Sequence, residues 1–105
     1  MSRIELAPEL GEDFDRILDH LAQYQVENPE LRIREIINAL DVLEHNPRIG
    51  RPVSKAKREL VIGRRLHGYI ALYRDIAEID TVFVLALRGQ REAGYAERGQ
   101  GSKAP

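Results

Sequence analysis

The six residues Val82, Phe83, Val84, Leu85, Ala86 and Leu87 are apolar without a break. A strand wetted on one face alternates apolar and polar side chains, so a strand with no polar position has to be covered on both faces and lie inside a sheet. The chain before it repeats the demand. Across the short acidic stretch 77–80, residues 69–76 read YIALYRDI, in which Tyr69, Ala71 and Tyr73 alternate with Ile70, Leu72, Arg74 and Ile76. Both faces of this second strand therefore carry apolar groups. Residues 58–62 (RELVI) form a third strand, joined to the second through GRRLHG at 63–68, and residues 3–7 a short one with Ile4 and Leu6 on one face.

Between the short strand and the long ones lie two helical patterns. Pro8 suits a first helical turn, where its missing N–H is not needed, and Glu9, Glu12 and Asp13 complement the helix dipole there. Leu10, Phe14, Ile17, Leu18 and Leu21 mark the apolar stripe of a helix ending near Val26, with Glu12, Asp13, Asp15 and Asp19 on its wet side. Asn28 as cap and Pro29 at the first helical position start a second helix, whose inner face is Ile33, Ile36, Ile37, Leu40 and Leu43. Asn46 is expected to end it in the left-handed conformation, before Pro47. So short a link makes the pair an antiparallel hairpin. Gly50, Pro52 and the polar residues 54–57 predict a loop. The fold class is α+β: an N-terminal strand, an α-helical hairpin, then a three-stranded antiparallel meander. It occupies residues 1–98, with 99–105 expected to be a disordered tail.

A helical hairpin covers one face of such a sheet, and little chain remains for the other. Either the segment after Gln90 folds back over it, or a partner lies there. Charge points the same way. The formal net charge of −1 hides a segment 1–47 of net −7, a segment 48–74 of net +7 and a remainder of −1. The basic segment suits an anionic partner, nucleic acid or an acidic protein segment, unless the acidic helices neutralise it internally.

Most site chemistry is missing. There is no cysteine, and His20, His45 and His67 lie apart with no metal-ligand spacing, so no metal site or cofactor is expected. The serines, Ser2, Ser54 and Ser102, sit in termini or a loop, and no glycine-rich phosphate loop is present. No apolar run is long enough to span a membrane, and no signal peptide precedes the domain, so a cytoplasmic protein is expected. What remains is Arg64, Arg65, Arg74, Arg88 and Arg91, which could gather at one sheet edge near Tyr95. Planar guanidinium forks suit phosphate and carboxylate, and with a tyrosine as acid or base they could make a metal-free ribonuclease. Each could equally pair with a surface carboxylate.

The loop PRIGRPV at 47–53, RELVIG at 58–63, GYIALYR at 68–74 and VFVLALRGQREAGY at 82–95 resemble the ParE/RelE superfamily of type II toxins, and its ParE-like branch in particular. The resemblance implies the RelE/ParE-like toxin fold and the toxin of a toxin–antitoxin pair. RelE-type members cut messenger RNA on the ribosome with bases on the middle strands. Here those strand positions hold Leu60, Val61, Ile62 and Ile70, leaving only Arg91 and Tyr95 as counterparts if the chain were a nuclease. ParE-type members inhibit DNA gyrase without a nuclease site, and GQRE resembles their chain ending, with Arg88 in place of the usual histidine. The resemblance thus implies a non-enzymatic gyrase inhibitor with Arg88, Arg91 and Tyr95 as target-binding residues. It also implies a cognate antitoxin, ParD-like with a ribbon-helix-helix DNA-binding half, through which alone operator DNA is contacted. Arg64, Arg65, Tyr69, Ala71, Tyr73 and Arg74 are its expected contacts. The alternatives are a ribosome-dependent endoribonuclease and a non-toxic, complex-forming or autoregulatory member.

Overall fold

The computed structural model describes residues 1–24, 27–63, 68–92, 94 and 95. The element order is β1 (Arg3–Leu6), α1 (Leu10–Gln23), α2 (Pro29–Leu40), β2 (Arg51–Ser54), β3 (Lys57–Ile62), β4 (Tyr69–Ile76) and β5 (Thr81–Gly89). The strands form one sheet in the order β1-β5-β4-β3-β2. Strand β1 runs parallel to β5, and the other neighbours are antiparallel. The two strands with apolar groups on both faces, β4 and β5, are interior, as their sequences require.

Residues 51–54 depart from the expected loop. They zip onto the outer edge of β3 as β2, so the meander has four strands rather than three. Pro52 has no N–H to offer a further strand, which confines it to an edge, and the register slips between Pro52 and Ser54. Helix ends also differ. Helix α2 passes into a short 3₁₀ turn, Asp41–Glu44, and Asn46 is not left-handed; that conformation is taken by Asn28, Ala56 and Asp80. Asn28 does precede α2, but its side chain makes no capping hydrogen bond.

Leu10, Ile17 and Leu21 of α1, Ile36 and Leu40 of α2 and the following Leu43 bury against Ile62, Ala71, Tyr73, Val82, Val84 and Leu87. The Tyr73 hydroxyl, fully enclosed, accepts the Gly50 N–H at 2.8 Å. A Cβ at residue 50 would stand 2.6 Å from that hydroxyl and from the Glu59 carbonyl, so only glycine fits. Between Leu72 and Tyr73 the β4–β5 register slips, leaving Leu85 without a partner. The bulge resets the alternation. Val82 and Val84 face the helices before it and Leu87 does so after it, while Arg88 turns to the opposite face.

Strand β1 covers only the first half of β5, its register ending at Leu6 opposite Val84. Beyond that point helix α1 takes over. Asp13, fully buried, accepts the Leu87 N–H at 2.9 Å and bonds Arg16 at 2.8 Å, and Arg16 donates to the Leu87 carbonyl at 2.9 Å. The Glu92 carboxylate accepts the Gly89 N–H at 2.7 Å and Arg16 Nε at 3.0 Å. Asp13 is therefore not on the wet side of α1, where its charge had placed it. The sheet edge needs an acceptor inside the apolar stripe.

Asp13→Ala leaves a buried N–H unpaired and strips Arg16 of a close partner. Urea unfolding should show a loss of about 2–4 kcal/mol with an unchanged m-value; a loss below about 0.5 kcal/mol would assign the edge's stability elsewhere.

Candidate functional site

The sheet face away from the helices carries Glu59 and Val61 of β3, Ile70, Leu72 and Arg74 of β4, and Phe83 and Arg88 of β5. Here the chain after β5 does fold back. The Tyr95 hydroxyl donates to Glu59 Oε2 at 2.7 Å, and Arg51 Nη2 donates to Oε1 at 3.0 Å. The Arg88 guanidinium lies 5.2 Å from the centroid of the Tyr95 ring, within cation–π range. Arg88 Nη1 also donates to the carbonyls of Gly89 and Glu92, at 3.3 and 3.0 Å. Its Nε is buried without a partner among the described residues.

Burial alone would push the Glu59 carboxyl up, but the Tyr95 hydroxyl and Arg51, with the charge of Arg88, hold it below the usual carboxylate range. Burial and the Glu59 carboxylate push the Tyr95 phenol well above its ordinary value. Both shifts run against acid–base chemistry near neutral pH, where a useful base needs a raised carboxyl and a useful acid a lowered phenol. As arranged, the cluster is a latch for the returning chain. Among the described residues, no group of three His, Asp or Glu side chains is placed to hold a metal ion.

Of the expected target-binding residues, the structure brings Arg88 and Tyr95 together but sets Arg91 apart. Arg91 is exposed and lines a cleft of about 590 Å³ between α1 and the end of the β4–β5 pair, with Arg16, His20, Tyr24 and Tyr69 among its walls. Of the expected antitoxin contacts, Arg74 is exposed on the open face, and Arg64 and Arg65 lie outside the described residues. Ala71 and Tyr73 cannot serve: both are 0% exposed beneath the helices, because odd-numbered positions of β4 face the core. Tyr69 shares that face and is half-buried.

Glu59 and Arg51 were missed. Glu59 is the one acid in the basic segment 48–74, set mid-strand in RELVI, and an isolated opposite charge in a strand is the signal that could have found it. Among the ion pairs between described residues, none joins the acidic segment 1–47 to the basic segment 48–74.

The depressed Glu59 pKa gives the latch a pH signature. Its contribution is fully present above the unfolded carboxyl value of about 4.3 and is lost as pH falls through the lower folded value. The raised Tyr95 pKa adds a contribution lost only as pH rises beyond about 10. Protection of the 88–95 segment against hydrogen exchange, taken relative to the intrinsic rate at each pH, should therefore hold between these limits and fall below about pH 4. Tyr95→Phe should abolish most of that dependence; an unchanged profile would show that the hydroxyl does not hold the segment.

Residues 4–94 match the family described as the ParE toxin of the type II toxin-antitoxin system parDE. Among solved structures of similar fold is one of the chromosomal ParDE toxin–antitoxin system from P. aeruginosa. It is 21% identical, with a TM-score of 0.67, and the match covers 85% of this chain and 96% of that one. No curated protein is similar enough in sequence to count as a relative. No described helix is long and apolar enough to cross a membrane. With the family spanning all but the two ends, and the two-helix, mixed-sheet architecture shared with a ParDE structure, the chain belongs to the ParE toxin family of type II toxin–antitoxin systems.

Proposed function

We propose that this chain inhibits DNA gyrase by non-covalent binding, acts in the cytoplasm, and is neutralised by a cognate antitoxin laid across the open face of its sheet. The observation that carries the non-enzymatic part is the state of Glu59. The buried carboxylate of the open face is held ionised by Arg51 and Tyr95, so it is a poor proton acceptor. The antitoxin part rests on what the latch leaves uncovered. Val61 is 52% exposed, Leu72, Phe83 and Leu85 are only half-buried, and Arg74 stands among them in solvent. An amphipathic acidic segment fits such a strip, its apolar groups on the strands and a carboxylate on Arg74. Arg91 is the candidate effector side chain, exposed on a strand exit fixed by the Glu92 network. Arg88 and Tyr95 shape that exit.

The metal-free ribonuclease reading keeps one observation in its favour, the gathering of Glu59, Tyr95, Arg51 and Arg88 on one face. Two assays on purified protein separate the readings. Gyrase supercoiling should be inhibited with accumulation of cleaved DNA, and programmed ribosomes should show no codon-dependent cleavage by primer extension. Arg91→Ala should weaken gyrase inhibition tenfold or more while changing folding stability by less than about 0.5 kcal/mol. Ribosomal cleavage lost in Glu59→Gln or Tyr95→Phe would replace this proposal with the nuclease. Inactivity in both assays, with antitoxin binding intact, would favour a member kept for complex formation.

A further inference from the structure

Among the described residues, the cations of the basic segment that make no ion pair gather around the β2–β3 hairpin. Arg48, Lys55, Lys57 and Arg74 are exposed there and make no ion pair among the described residues. Arg58 is different. Its Nη1 is fixed by the carbonyls of Gly50 at 2.7 Å and Arg48 at 3.2 Å, which holds the guanidinium in place, while Nε and Nη2 make no hydrogen bond to described residues. Arg48, Lys57 and Arg58 line a cleft of about 180 Å³ with Ser54, Pro52, Ala56 and Asp75.

We infer that this hairpin end is a binding surface for the phosphodiester backbone of nucleic acid. The cleft is small and lined by Arg48, Lys57 and Arg58, with the Arg58 guanidinium already oriented, which suits a tetrahedral oxyanion. It offers only Pro52 and Ala56 as apolar walls, so a peptide side chain would gain little by entering. The cations are spread around the hairpin, Lys57 and Arg74 towards the open face and Arg48 beside Arg58 on the other. That distribution matches the repeated charge of a polyanion better than the single carboxylate of an acidic peptide. The inference does not depend on gyrase being the target. Asp75 is the one acid on the cleft wall, and it opposes an anion there.

The test is fluorescence anisotropy of the isolated chain with a labelled DNA duplex of about 20 base pairs and, separately, a single-stranded RNA of similar length. If about four phosphates are engaged, affinity should fall roughly a hundredfold between about 50 and about 200 mM salt. Arg48→Ala and Lys57→Ala should each lower the salt slope by about one, and together weaken binding about tenfold or more at low salt. Asp75→Asn should tighten binding severalfold. The DNA and RNA arms identify which backbone is preferred, and binding to either supports the proposal. Because Arg48 and Lys57 are exposed and unpaired, the double variant should melt like the parent. It is therefore informative even if Arg58→Ala disturbs the hairpin. No salt-sensitive binding to either polymer, or binding unchanged in the double variant, would overturn the inference. A polyglutamate peptide bound more tightly than both, and lost in the double variant, would also overturn it by showing that the patch reads acidic protein.

Discussion

Both main-chain polar groups of Leu87 are satisfied by side chains of α1 rather than by a neighbouring strand. This follows from a mismatch of lengths, four residues of β1 against nine of β5. A short parallel partner leaves the far half of a central strand with polar groups that cannot stay unpaired in a dry interior. Asp13 and Arg16 answer that need, and in doing so they fix where α1 crosses the sheet. Arg16 is only partly buried. Burial alone would lower its pKa, yet its bonds to Asp13 and Glu92 raise it, so the charge is firmly held. Through Glu92 the same guanidinium reaches the turn after β5 and closes it over Gly89.

The open face inherits its geometry from this arrangement. With Leu87 committed to the core side and Val84 already there, one residue between them has to be surplus, and Leu85 is the one left unpaired. Without the bulge, the alternation would send Arg88 under the helices, away from Tyr95 and Glu59. With it, Arg88 lies across from Ile70 on the outer face and meets the ring of Tyr95. Glu59 can then be buried as an ion because Tyr95 covers it and Arg51 pairs with it, a combination that lone burial would not permit. The latch is thus a consequence of a register shift three residues before Arg88 on the same strand.

The sequence showed the interior strands, the helical stripes and the short N-terminal strand plainly, because burial on two faces or on one leaves a period that a single chain displays. That first strand's edge place and parallel pairing came only with the structure. It concealed features whose logic is tertiary. Asp13 falls three residues after Leu10 and four before Ile17, inside the apolar stripe, so its position already spoke for burial. Charge argued the other way, and only the open edge of β5 explains why position won. Strand β2 was masked by Pro52 and the polar residues after it, which are signs of a turn in isolation and signs of an edge when a neighbour is present. The even and odd faces of β4 were visible, but both are apolar, so nothing local says which faces the hairpin. The choice falls to Tyr73, whose hydroxyl needs the Gly50 N–H beneath the helices.

Charge segregation follows from the same topology. Among the described ion pairs, Asp13 of α1 pairs with Arg16 on the same helix, Arg16 also pairs with Glu92, and Arg32 pairs with Glu35 on its own helix. Strand β2 lies four strand positions from β1, roughly 19 Å at the usual inter-strand spacing of about 4.8 Å. That exceeds the Debye length of about 8 Å at physiological ionic strength. The hairpin cations are therefore screened from charges at the β1 edge of the same domain. A net charge near zero then says little about what either end attracts, because an approaching polyanion senses the end it meets rather than the sum.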